Sequence, residues 1–168
     1  MSLSMYQASV PPIVRFLESL STILDKAAAF AEANKIKPEV MIGYRLRPDM
    51  LPLSAQIQIA TDQVKGFVSR VAGAEVPSFP DTEATFADLK ARVAKTIAHI
   101  KSFTPAQIDG TENKDIAFKA GPNELKFKGE QYLTTWVLPN FYFHITTAYA
   151  ILRHCGVPLG KRDYLGPA

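Results

Sequence analysis

A nearly continuous apolar segment near the end of the chain constrains the fold more than any other feature. It reads VLPNFYFHITTAYAILRHCGV, and as a helix it has bulky apolar side chains on nearly every side. Such a helix lies in the centre of a protein core or at an interface. Two polar side chains within it, Asn140 and His144, are four residues apart and therefore share one helix face.

Two interpretations of Asn140 and His144 remain open. In the first, the two side chains satisfy each other, or a backbone carbonyl left free by Pro139, which has no N–H to donate. In the second, they line a pocket, since polar residues in the core of a helical bundle often mark a binding site. The choice between them decides most of what the sequence says about function. We predict that both side chains are mostly buried and that His144 forms a hydrogen bond to a polar group on another helix, with Asp62 or Gln58 as the expected partner.

The composition is typical of a single globular domain over residues 1–168, with 47% hydrophobic and 21% charged residues. The longest apolar run, residues 132–152, also contains threonines, a proline, an asparagine and a histidine. This mixture favours a buried helix over a membrane span.

Charge and cysteine content exclude further classes. The net charge is +3, and the basic residues are scattered without a stripe that alternates with aromatic residues, so we expect no nucleic-acid partner. The single cysteine, Cys155, excludes an internal disulfide and suits a reducing compartment. The first residues lack the layout of a signal peptide, and a cytoplasmic location is therefore expected.

Four helical patterns predict an all-α fold, an up-and-down four-helix bundle. Apolar residues recur every three or four positions in each pattern. The first, second and fourth helices are expected over residues 11–34, 52–73 and 130–155.

Cap residues suggest where these helices begin and end. Paired prolines suit the first turn of the first helix, and Gly73 suits the end of the second. Asp81 or Thr82 is expected to cap the third helix, with Glu83 in its first turn, and the third helix ends before Pro105.

Residues 114–128 break the helical rhythm and predict a short β-hairpin inserted between the third and fourth helices. Apolar and polar residues alternate in KDIAFK and ELKFK, and AGPN lies between them. The face expected to be buried against the helices consists of Ile116, Phe118, Leu125 and Phe127, with the lysines pointing outward.

The second helix has a polar face that admits two interpretations. Gln58, Asp62, Lys65 and Ser69 share this face, which by periodicity alone is solvated. Alternatively, Asp62 is the nearest carboxylate to a site in the bundle core.

The histidines limit any metal site. His144 and His154 are ten residues apart on one helix, about 15 Å along its axis, and cannot bind one ion. A three-histidine zinc site is therefore unavailable, and a metal at His144 would need Asp62, Asn140 or Gln58 beside it. We predict no metal and no cofactor.

Several segments together carry a resemblance to a family. They are RLRPDMLPLSAQIQIATDQVKGFVSRVAG, FKGEQYL, LPNFYFHITTAYAILRHCGV and LGKRDYLG. Over residues 5–166 the chain resembles a bacterial family of uncharacterised proteins within the DinB-like superfamily of four-helix bundles.

The resemblance implies a bundle fold and a place for a site. The superfamily contains metal-dependent enzymes, some of them thiol-cofactor transferases or isomerases, with one histidine on the second helix and two on the fourth. By position, His144 matches the later fourth-helix histidine and Asn140 replaces the earlier one. The second-helix position falls near Gln58, with Asp62 one turn on, so one of three ligands is kept.

Two functions follow as hypotheses. In the first, the protein binds a small molecule in a polar pocket of the bundle core, whose candidate residues are Asn140, His144, Asp62 and Gln58. In the second, it is a non-catalytic interaction protein that forms a homodimer. The interface then consists of apolar residues of the first or fourth helix that the bundle core does not bury.

Overall fold

The computed structural model describes residues 3–166 and consists of helices with one β-hairpin. Its elements are α1 (Met5–Ala33), α2 (Pro38–Ile42), α3 (Leu53–Ala72), α4 (Phe86–Lys101), α5 (Pro105–Ile108), β1 (Asp115–Ala120), β2 (Asn123–Lys128), α6 (Gly129–Gln131), a π-helical turn (Tyr132–Val137), α7 (Leu138–His154) and α8 (Lys161–Leu165).

The four long helices form a bundle around one apolar core. Helix α1 packs against α4 and α7, and α3 packs against the same two helices. Buried leucine, isoleucine, valine and phenylalanine side chains from all four helices meet in the centre. The predicted fold class, an all-α four-helix bundle with a hairpin between the third and fourth long helices, is confirmed.

Strict up-and-down alternation is interrupted at one connection. Helices α3 and α4 run in the same direction, since Arg92 contacts Thr61 and, seven residues later, His99 contacts Ser69, eight residues after Thr61. The connection over residues 73–85 therefore returns along the bundle before α4 begins. On its way Phe79 is buried against side chains of α3 and α4.

Two helix starts differ from the prediction. Helix α1 begins at Met5, because the Ser4 and Gln7 side chains form a capping box there, and the paired prolines lie inside the helix. Helix α4 is capped by Thr85 with Asp88 rather than by Asp81 or Thr82. Glu83 consequently belongs to the preceding connection.

The fourth predicted helix is divided into α6, the π-helical turn and α7. In the turn, the N–H of Leu138 donates to the carbonyl of Leu133, five residues back. The hydroxyls of Thr134 and Thr135 donate to carbonyls four residues back, at Glu130 and Gln131. In a regular α-helix, backbone N–H groups would donate to these two carbonyls. Here the threonine hydroxyls donate to them instead.

The predicted hairpin is confirmed. Strands β1 and β2 pair antiparallel, with Ile116 opposite Phe127 and Phe118 opposite Leu125. Ile116 is buried, the other three are half-buried, and the lysines of both strands are exposed.

An aromatic cluster attaches the hairpin to the bundle. The rings of Phe118 and Phe127 contact those of Tyr132 and Trp136. The guanidinium of Arg70 lies 4.3 Å from the centre of the Phe118 ring and donates to the Tyr132 hydroxyl at 2.8 Å. The hairpin is therefore attached to the end of the bundle where α3 ends.

Within residues 3–166, none of the helices combines the length and apolar character needed to cross a membrane.

Candidate functional site

His144 and Gln56 form a hydrogen-bonded pair between α7 and α3. The Nδ1 atom of His144 lies 2.7 Å from Oε1 of Gln56. Both side chains are buried, and His144 retains only 8% exposure. The prediction that His144 bonds to a polar side chain on another helix is confirmed, but the partner is Gln56 and not Asp62 or Gln58.

The pair fixes the tautomer of His144. The Nε2 amide of Gln56 donates to the carbonyl of Leu51 at 3.0 Å, so its Oε1 faces His144 and accepts a hydrogen bond. Burial lowers the pKa of His144 and favours the neutral imidazole. The proton therefore resides on Nδ1, and Nε2 carries a lone pair.

The Nε2 atom of His144 is available to a ligand. It has no hydrogen-bond partner within residues 3–166, and the protein does not fully enclose the atom. A fixed neutral imidazole with a free Nε2 can accept one hydrogen bond from a ligand.

Asn140 lies one turn before His144 and is half-buried rather than mostly buried. Its Nδ2 amide donates to the carbonyl of Trp136 at 2.7 Å. This bond joins Asn140 to a residue of the π-helical turn, so the amide N–H group binds a carbonyl four residues back in its own helical segment. The other end of the amide, Oδ1, accepts no hydrogen bond within residues 3–166.

The structure does not bring Gln58 and Asp62 to His144. Gln58 donates to Glu83 at 2.8 Å, and Asp62 pairs with Lys65 at 2.7 Å and with Arg92 at 2.9 Å. These partners lie on α3, on α4 and in the connection between them. The four candidate residues therefore divide into one pair on α7 and another pair near α4.

The hydrogen bonds and ion pairs around Arg92 hold α3, α4 and the connection between them together. Its guanidinium side chain is 2% exposed and also binds Thr61, at 2.8 Å, and Glu83, at 2.9 Å. Burial works against the charged form, but the hydrogen bond that Arg92 donates to Glu83 and the charges of the nearby carboxylates raise the pKa of Arg92 above its ordinary value. Its donors face protein acceptors, and we assign this group to folding.

An apolar rim, formed by the exposed side chains of Phe143, Leu46 and Leu51, lies near the His144 pair on the outside of the bundle. The Phe143 ring meets the His144 imidazole edge-on, with centres 5.2 Å apart, and Phe143 is 56% exposed. Leu46 and Leu51 are also exposed large apolar residues. A groove of about 460 Å³ runs along the same side of α7, lined by Leu46, Pro139, Tyr142, Phe143, Thr146, Thr147 and Ala150.

The comparisons with known proteins agree with this architecture. Residues 5–165 match the family described as Domain of unknown function (DUF1993). The chain belongs to the DUF1993 family. A search of curated proteins finds no match.

A solved structure supports the DUF1993 fold assignment. It is the crystal structure of a DinB family member protein from Shewanella denitrificans, 37% identical in sequence, with a TM-score of 0.86. The alignment covers 97% of this chain and 92% of that chain. The resemblance to DinB-like bundles expected from the sequence is therefore confirmed.

The three histidines of this DUF1993 chain have separate hydrogen-bond partners. Within residues 3–166, no group of three or more histidine, cysteine, aspartate or glutamate side chains is arranged to hold a metal ion. His99 pairs with Ser69 at 2.9 Å and His154 with Tyr44 at 3.1 Å, both apart from His144. The absence of a metal cofactor stays a prediction.

Sequence reasoning missed Gln56, although a signal for it exists. Leu53, Gln56, Ile57, Ala60 and Val64 follow the three-and-four spacing of a buried helix face. A glutamine within that apolar stripe indicates a buried amide that needs a partner. The resemblance instead places the second-helix position near Gln58, two residues further along the helix.

Proposed function

We propose that this DUF1993 protein binds a small molecule where α3 and α7 meet, next to His144. The observation that carries the proposal is the buried His144–Gln56 pair, which leaves one imidazole lone pair available. The apolar rim of Phe143, Leu46 and Leu51 supports a ligand with an apolar body.

The proposed site consists of His144, Gln56 and Asn140. His144 accepts a hydrogen bond from the ligand, Gln56 holds the imidazole, and the free Oδ1 of Asn140 offers a second acceptor. Gln58 and Asp62 are excluded because the Arg92 network uses them. We assign no catalytic step to this site.

We also propose that the protein is cytoplasmic, because a single cysteine suits a reducing compartment.

Phenol is a suitable first probe because it joins an apolar ring to one O–H donor. We expect saturable shifts of the His144 ring signals when phenol is titrated and observed by NMR. His144→Leu should weaken phenol binding about three- to tenfold, the loss of one hydrogen bond. Binding should also weaken when the pH falls below the pKa of His144, because the protonated imidazole has no acceptor.

Two controls make this test specific. His154→Leu removes an exposed histidine from the end of the same helix and should leave phenol binding unchanged. Benzene has no O–H group and should bind the parent protein and His144→Leu alike. Equal weakening of phenol and benzene by His144→Leu would contradict the proposed hydrogen bond and indicate lost packing.

A second candidate function is homodimeric interaction through the outer face of α7. The observation that favours it is the combination of an exposed ring, Phe143, with an adjacent apolar groove. A twofold interface requires one patch that is complementary to itself, and a ring beside a groove meets this requirement. In such a dimer each Phe143 fills the partner's groove.

Sedimentation velocity tests this second candidate. We expect a concentration-dependent dimer for the parent protein and a monomer for Phe143→Asp. The control, Leu165→Asp, adds the same charge at an exposed apolar residue on α8 and should still dimerise. A parent protein that sediments as a monomer of 18.5 kDa at high micromolar concentration would contradict the dimer.

A further inference from the structure

A cleft of about 390 Å³ lies between α1 and the short C-terminal helix α8. Three contacts attach α8 to α1 there. Arg15 donates from Nε to the carbonyl of Leu165 at 3.0 Å, Lys26 pairs with Asp163 at 2.6 Å, and Phe16 meets Tyr164 ring to ring. The cleft is therefore a defined part of the fold.

The cleft contains arginine hydrogen-bond donors that its own carboxylates do not bind. Its two carboxylates are already paired, Asp163 with Lys26 and Glu18 with Lys101. Arg162 makes no ion pair or side-chain hydrogen bond within residues 3–166, and Arg15 uses only Nε. Several guanidinium N–H groups thus remain free to bind an anion.

Ser19 supplies an independent observation at the same place. The residue is only 5% exposed, and its buried Oγ has no hydrogen-bond partner within residues 3–166. Buried hydroxyl groups are normally hydrogen-bonded, so this one needs an explanation. It lies against Gly166, where a β-carbon would come within 2.5 Å of Oγ. A glycine there keeps this wall of the cleft free of a side chain.

We propose that the cleft binds a small anion with a carboxylate or phosphate group. The guanidinium groups of Arg15 and Arg162 hold the anion, and the Ser19 hydroxyl donates to it after a small movement at Gly166. This site is separate from the proposed His144 site, involves different helix faces and does not depend on it.

Thermal unfolding with inorganic phosphate or succinate as the probe, against sodium chloride of equal ionic strength, tests the proposal. Arg162→Gln removes a cleft cation, and Lys161→Gln removes the same charge from the exposed neighbouring residue. We expect a saturable rise in Tm in the parent protein and in Lys161→Gln. Arg162→Gln should weaken the apparent affinity roughly tenfold or more, the loss of a charged hydrogen-bonding group.

The two probes decide the chemical class, because a phosphate site should prefer phosphate and a carboxylate site succinate. Ser19→Ala should keep the Tm of the free protein, since its hydroxyl has no partner, and should weaken anion binding. An equal loss in Arg162→Gln and Lys161→Gln would indicate general charge attraction and overturn the proposal. So would a parent protein whose Tm does not respond saturably to either probe.

Discussion

Arg92→Met is expected to lower the free energy of unfolding by about 3 kcal/mol, the size seen when one partner of a buried ion pair is removed. The guanidinium is almost wholly buried, and Glu83, 9% exposed, would keep its charge with one fewer partner. The other carboxylates, Asp62 and Asp81, are more exposed and can be rehydrated. Most of the loss therefore comes from Glu83 and from the hydrogen bond to Thr61.

Lys90→Met is the matched control for Arg92→Met. Lys90 is on the same helix and is paired with Asp25, but both side chains are partly or largely exposed. An exposed pair contributes about 0–1 kcal/mol. Urea unfolding followed by circular dichroism measures both variants, and equal effects would show that the Arg92 network does not hold the fold.

The Arg92 network also explains how a parallel pair of helices is held. The connection over residues 73–85 must lie along α3 and α4, and Glu83 anchors its end to Gln58 and Arg92. Phe79 anchors its middle, with the Lys65 and Lys95 ammonium groups 4.3 and 4.1 Å from the ring centre. Amide hydrogen exchange in this connection should accelerate in Arg92→Met before it does in the core.

The elements that the sequence predicted well are those with a strong local pattern. The hairpin follows from the alternation of Ile116 and Phe118 with polar neighbours, and Gly73 ends α3 with a positive φ of 74°. The start of α1 was missed because the prolines masked the capping box of Ser4 and Gln7, which local sequence contains. Its prolines are tolerated inside the helix.

The remaining features depend on contacts between distant segments. Periodicity places Arg92 on α4 but does not show that acceptors from α3 and the connection surround it. The parallel arrangement of α3 and α4 likewise depends on where the connection runs. For the candidate site, the sequence identified His144 and its burial. Identifying its partner requires knowing which α3 residue faces α7, and that residue is Gln56, two positions before the expected Gln58.

Phe141→Ala is expected to lower the free energy of unfolding by about 3–5 kcal/mol, because it leaves a cavity in the core. Phe141 is 0% exposed, whereas Phe143, two residues further along, is 56% exposed. Phe143→Ala is therefore the matched control and should change stability by about 0.5 kcal/mol or less at protein concentrations too low for association.

Comparison of the two phenylalanines separates the core of the bundle from its outer surface. The sequence pattern of α7 is apolar on both sides and does not distinguish them, but the structure assigns Phe141 to the core and Phe143 to the surface groove. Urea unfolding should be measured at low and at high protein concentration. If Phe143 packs against a second copy, Phe143→Ala should become destabilising only at high concentration, while the effect of Phe141→Ala stays large at both. Equal losses for the two variants at low concentration would contradict the assignment of Phe143 to the surface of the monomer.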